Sequence, residues 1–133
     1  YNDSISTIPA ATIAAVDAIK DVDTLIVGGY DRGIDYQPLA LYLLQSQINN
    51  IAFVGRAGRR ILNEYQTLIP PEVEHRNILI NNDFETIVAW CYQHTKAGGA
   101  CLLSPAAASY DAFKNFEERG SLFEQFVKQY GNQ

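Results

Sequence analysis

Four loops in this chain carry residue types that could do chemistry. They read Gly28-Gly29-Tyr30-Asp31-Arg32-Gly33, Gly55-Arg56-Ala57-Gly58, Asn81-Asn82-Asp83 and Ser104-Pro105-Ala106-Ala107-Ala108-Ser109-Tyr110. The first pairs backbone freedom with an arginine, whose planar fork fits a carboxylate bidentately. A tight turn with Arg32 paired to Asp31 or Asp35 would use the same residues. The second is half of a dinucleotide fingerprint, without its middle glycine, and a plain strand-to-helix turn explains it as well. In the fourth, small residues separate Ser104 from Ser109 and leave backbone N–H groups accessible to an anion. A helix cap packed by Tyr110, Phe113 and Phe116 is the alternative. Asp3-Ser4-Ile5-Ser6-Thr7 adds a carboxylate and three hydroxyls near the chain start.

None of these is a catalytic constellation. His75 and His94 lack a second histidine or cysteine at metal-ligand spacing. Ser104 and Ser109 sit outside a nucleophile-elbow sequence. No G-x-x-x-x-G-K-[ST] segment is present, so a triphosphate cradle is not expected in this chain.

The elements that must position these loops follow from apolar patterning. Ile13, Val16 and Ile19 mark a helix over 10–20, capped by Thr7, with Pro9 in its entry. Thr24–Val27, Ile51–Val54, Asn77–Ile80 and Ala100–Leu103 read as short buried strands. Helices are predicted over 36–47 (capped by Asp35), 57–65, 83–95 (capped by Asp83) and 116–130. Phe123, Phe126 and Val127 form the apolar face of the last one. Pro70-Pro71 and Gly98-Gly99 are turns. Unalternating strands between helices of 10–15 residues imply a mostly parallel sheet covered on both faces. The expected fold is α/β, a three-layer Rossmann-like sandwich. In such sheets ligands bind outside the carboxyl ends of the strands, where the four loops lie.

The chain has 133 residues and a net charge of −5, which fits one domain and argues against generic nucleic-acid binding. No apolar run approaches the roughly 18 residues needed to span a bilayer. Cys91 and Cys101 are expected as buried, reduced thiols, in keeping with the cytoplasm. The opening at Tyr1 predicts a domain cut from a longer protein.

Read together, three segments resemble the C-terminal domain of the muramyl peptide (Mur) ligases. Asn2-Asp3-Ser4-x-x-Thr7 is similar to the Asn-Asp-Ser-Lys-Ala-Thr-Asn segment that opens that domain. Gly28 to Tyr36 resembles its Gly-Gly-x-x-Lys-x-x-Asp-Phe loop. Leu102 to Gly120 resembles the signature of the glutamate-adding member. The resemblance spans essentially the whole chain. It implies that residues 1–133 are one amino-acid-binding and lid domain of a three-domain ligase. The UDP-sugar domain and the central ATPase would lie elsewhere.

The implied reaction joins glutamate to UDP-N-acetylmuramoyl-L-alanine at the expense of ATP, with Mg2+ and ATP held mainly by the central domain. This domain alone would be inactive. By position, Thr7, Arg32, Ser109, Tyr110 and Phe116 match residues that contact glutamate. Asp3, with Ser4 beside it, matches the contact to ATP. The resemblance implies no nucleic-acid or membrane partner, and a monomer. Arg32 stands where the family has lysine, and Ile5 where it has another. An L-glutamate-adding variant is therefore one alternative, a stand-alone Rossmann-type nucleotide-binding module a second, and a non-enzymatic interaction domain a third.

Overall fold

A computed structural model describes residues 1–107 and 115–131. Its elements, in chain order, are α1 (Pro9–Ala18), β1 (Val22–Gly28), α2 (Gln37–Gln45), β2 (Asn50–Val54), α3 (Gly55–Leu68), β3 (Asn77–Ile80), α4 (Phe84–His94), β4 (Ala100–Leu103) and α5 (Phe116–Gly131), with a 3-10 turn at Pro71–Val73. The four strands form one sheet in the order β3-β2-β1-β4, with every pair parallel.

Strand residues alternate between two apolar layers, as the pleat requires. Leu25, Val27, Ile51, Phe53 and Leu102 face α1, α2 and α3, packing with Leu39, Leu43, Ile61 and Tyr65. Ile26, Ala52, Val54 and Leu103 face α4 and α5, packing with Ile87, Val88, Cys91 and Phe123. Every residue of β1 and β2 is buried. The molecule is the three-layer Rossmann-like sandwich anticipated above. β3 is the least covered strand: none of its residues is fully buried, and Ile80 is 44 % exposed.

Capping follows the backbone more closely than residue type. α1 starts at Pro9, so Ile8, extended at φ −133°, takes the cap position, and no side chain caps it. Thr7 does not cap: proline, having no N–H to satisfy, occupies the first turn and displaces the cap to its neighbour. Asp35 does serve α2, one residue out of register, accepting the Gln37 N–H at 3.0 Å. Asp83 caps α4 through Thr86. These two hydrogen bonds hold the Asp83 carboxyl below its usual range, the hydroxyl of Thr86 first and its N–H second.

Both cysteines are free. Cys91 is buried, whereas Cys101 on β4 is half-buried and borders a cavity of about 400 Å3 between β4, α4 and α5. The two thiols share a hydrogen bond, which raises Cys91 and lowers Cys101. No described helix is long and apolar enough to cross a membrane.

Candidate functional site

The connections leaving β1 and β4 diverge. β1 leads to β2 through α2 in one outer layer, whereas β4 leads to α5 in the other. Adjacent strands with diverging exits leave a crevice at their carboxyl ends. The glycine loop and the serine loop meet there. Gly28 N–H donates to Pro105 O at 2.8 Å, and Ser104 N–H to Ile26 O at 3.2 Å. Gly28 is required at the crossing: its φ is +118°, and a Cβ would lie 2.0 Å from Val54 O.

The chain start reaches the same edge. Asn2 bridges Leu103 in parallel, Asp3 N–H donates to Leu103 O at 2.7 Å, and Ala106 N–H to Ser6 O at 3.0 Å. Asp3 therefore sits over β4. Its Oδ2 accepts both the Ser6 hydroxyl and the Ser104 hydroxyl, the latter at 2.7 Å. Among the described residues no donor reaches Oδ1. Ser4 lies beside it but faces inward, 4 % exposed. The Ser4 hydroxyl donates to Phe116 O at 2.7 Å and accepts from Arg119 Nε at 2.9 Å. Thr7 is half-buried at the end of this segment, and its hydroxyl makes no hydrogen bond among the described residues.

In the glycine loop, the partners that would have quenched Arg32 are engaged elsewhere. Asp31 pairs with Arg60 at 2.6 Å and also accepts Gly33 N–H at 2.9 Å. The Gly33 bond, then the Arg60 contact, hold Asp31 below its usual carboxylate range against a partial loss of solvent. Arg60 donates again to Ile34 O at 2.8 Å and lies 5.2 Å from the Tyr36 ring centroid. Tyr36 is buried, which pushes its hydroxyl up to about 12, and it donates to Ala106 O at 3.0 Å. The glycine and serine loops are thus tied through Tyr36 as well as through Gly28. Arg32 is exposed and makes no ion pair or hydrogen bond among the described residues.

Phe116 opens α5 next to Ser4. Ser109 and Tyr110 lie outside the described residues. The site so assembled holds Asp3, Thr7, Arg32 and Phe116 on one edge. It offers a guanidinium and a hydroxyl that are uncommitted among the described residues, and these suit an anionic ligand. Among the described residues it contains no arrangement of nucleophile and base.

Other candidates resolve into packing. Gly58 lets α3 lie on β2, since a Cβ there would stand 2.8 Å from the Phe53 carbonyl carbon. Gly55, at φ +64°, turns the chain, and its N–H donates to Asn82 at 2.9 Å. His94 bonds Trp90 O at 2.9 Å and stacks on that indole, and no cluster of metal-binding side chains occurs among the described residues. A cleft of about 950 Å3 lies at the opposite end of the sheet. Its arginine, Arg76, is spent on Ile48 O, Leu44 O, Ser46 O and the Tyr65 hydroxyl at 2.7–3.2 Å.

Two cations that shape the site were not singled out from the sequence. Arg60 and Arg119 look there like ordinary helix-surface residues. For Arg119 one signal existed: it lies four residues before Phe123, on the apolar stripe of α5.

No family model matches the chain. Over 127 residues it is 36 % identical to the UDP-N-acetylmuramoylalanine–D-glutamate ligase of Thermoanaerobacter sp. (strain X514). It is 35 % identical over the same length to the enzyme of that name from Caldanaerobacter subterraneus, and 33 % over 129 residues to that of Ruminiclostridium cellulolyticum. Each match covers 96 % of this chain. Over nearly all of its own length, the chain is homologous to these ligases. It spans 27–28 % of the length of these relatives. The chain carries its glycine loop, the Ser104–Ala107 part of its serine loop and its opening Asn-Asp-Ser on a single sheet edge.

Proposed function

We propose that this chain is the C-terminal, amino-acid-binding and lid domain of a ligase that adds glutamate to UDP-N-acetylmuramoyl-L-alanine. The observation that carries the reading is Arg32, an exposed guanidinium with no ion pair or hydrogen bond among the described residues, while Arg60 takes Asp31. Arg32 and Thr7 bind one glutamate carboxylate. Ser109, with backbone N–H groups at Tyr110 and Phe116, binds the other. These groups orient the amine and expel water; they neither take nor give a proton. Positioning of this kind can remove several kcal/mol from a barrier.

ATP supplies the phosphoryl group that activates the alanine carboxylate. The residues present fit one end of it. Asp3, with Oδ2 pinned by Ser6 and Ser104, presents Oδ1 to a ribose hydroxyl. Ser4 backs this contact from within. Mg2+ and the phosphates belong to a central domain outside this chain. The reading places the enzyme in the cytoplasm as a monomer, without nucleic acid or membrane, and expects this domain to be inactive alone. The packing roles of Gly55 and Gly58 weigh against a free-standing dinucleotide-binding module.

The test is an amide-forming assay of the full-length enzyme with D- and L-glutamate compared. Amide formation with one enantiomer supports the reading and assigns the stereochemistry; none with either overturns it. Arg32→Ala should raise KM for glutamate roughly tenfold or more, the worth of a charge-assisted hydrogen bond. An unchanged KM removes Arg32 from the site.

A further inference from the structure

Among the described residues, the largest side chain that this fold hides is a cation. Arg119 is 2 % exposed, on the first turn of α5. Its Nε donates to Ser4 Oγ at 2.9 Å, one terminal nitrogen to Ser4 O at 2.7 Å, and the other to Ala107 O at 2.9 Å. Ser4 Oγ passes the contact on to Phe116 O at 2.7 Å. Three segments are joined in this way: the chain start, the loop after β4 and the head of α5. They are the segments that carry Asp3, Ser104 and Phe116.

All three acceptors are neutral, and no carboxylate among the described residues pairs with Arg119. Burial alone lowers its pKa, to about 10, so it stays charged at neutral pH. A buried cation with no carboxylate partner among the described residues is costly, and an apolar side chain of equal volume would brace the same place more cheaply. A charge kept in a poorly screened place acts over a longer range than a surface charge. The edge above it is where an acidic amino acid would bring two carboxylates.

We propose that Arg119 is a positioning residue of the amino-acid site: it sets Ser4, Ala107 and Phe116 in register and lends that edge a buried positive charge. The inference rests on the glutamate-binding reading of the same edge and deepens it. Arg119 does not touch the ligand; it acts through the segments it holds and through its field.

The experiment uses the full-length ligase and measures KM for glutamate, for ATP and for the UDP-linked acceptor, with Tm alongside. Arg119→Lys keeps the charge and loses the three-way fork. KM for glutamate should rise about tenfold and by more than kcat falls, KM for ATP, whose ribose contact Ser4 backs, should rise by less, and KM for the UDP-linked acceptor should stay within about threefold. Arg119→Met, which keeps the bulk and removes the charge, should raise it further. Ser4→Ala deletes only the hydroxyl relay and should raise KM for glutamate about threefold, and it carries the test if the Arg119 variants do not fold. Three KM values that stay put, or that rise together as Tm falls, would leave Arg119 a mere brace and overturn the proposal. Wild-type enzyme that forms no amide with glutamate would instead bring down the ligase reading itself.

Discussion

At the scale of single residues, the pairing of Asp31 with Arg60 decides what Arg32 can do. An aspartate next in sequence to an arginine invites the reading that the two neutralise each other. The backbone prevents it: Asp31 turns back to accept the Gly33 N–H, and its Oδ1 then meets Arg60 on α3. Because Asp31 is held below its ordinary 3.8, its contribution to stability is present above that pH and is lost as pH falls through the lower native value. The pair is partly exposed, at 36 % and 26 % for the two side chains, so its worth is that of a surface pair, up to about 1 kcal/mol. Asp31→Asn should shift the urea midpoint down at pH 7, and the gap to wild type should close by about pH 2. A gap that persists in acid would show that the carboxylate's charge is not what matters. The same pair explains why part of the site was hidden from the sequence. Thr7, Arg32 and Asp3 stand out by motif as candidates, but a side chain 29 positions away from Asp31 has no signature in spacing. Arg119 was obscured for a related reason: a helix-borne arginine is usually solvated, and only tertiary contacts reveal one that is buried.

At the scale of elements, the strands were legible almost to the residue, because a buried parallel strand is a short apolar run and little else produces one. β3 and β4 coincide with the runs Asn77–Ile80 and Ala100–Leu103. β1 is longer than its apolar run. It also takes in Val22 and Asp23, since the Asp23 carboxylate is buried and satisfied by Asn49, Asn50 and the Lys96 N–H. A polar residue with three such donors is no obstacle to a strand, yet nothing local announces those donors. Helix ends were less legible: α3 begins at Gly55, not Ala57, because Gly55 itself supplies the left-handed turn at φ +64° and Asn82 satisfies its N–H. The close seat of α3 on β2 makes a direct test. Gly58→Ala places a methyl 2.8 Å from Phe53 backbone carbon, and neither element can yield without disturbing the glycine crossing at Gly28. The substitution should lower stability by about 1–3 kcal/mol, seen as a lower Tm, although alanine has the better helix propensity. A neutral or raised Tm would mean that the helix can slide.

At the scale of the whole molecule, two apolar layers share one sheet, and the question is whether they fail together. Leu25 is fully buried and points toward α1, α2 and α3, while its neighbour Ile26 points toward α4 and α5. The strands are therefore common property: no element of one layer can lose its seat without exposing the back of the other. Leu25→Ala should cost about 2–5 kcal/mol, the usual range for a buried leucine that leaves a cavity. The single tryptophan, Trp90, packs against the far layer on α4, so it reports on the side the substitution does not touch. If the domain is one cooperative unit, the Trp90 fluorescence transition of Leu25→Ala moves to lower denaturant by as much as the far-ultraviolet circular dichroism transition does. If α4 and α5 form a separable unit, the tryptophan transition stays near its wild-type midpoint while the dichroism transition splits. Cooperative behaviour is what the proposed site requires. Arg119 on α5 and Tyr36 ahead of α2 both donate to the loop after β4, from opposite layers, at Ala107 and Ala106. A loop held from both sides keeps its geometry only while both layers hold, and a site built on it therefore draws on the stability of the entire sandwich.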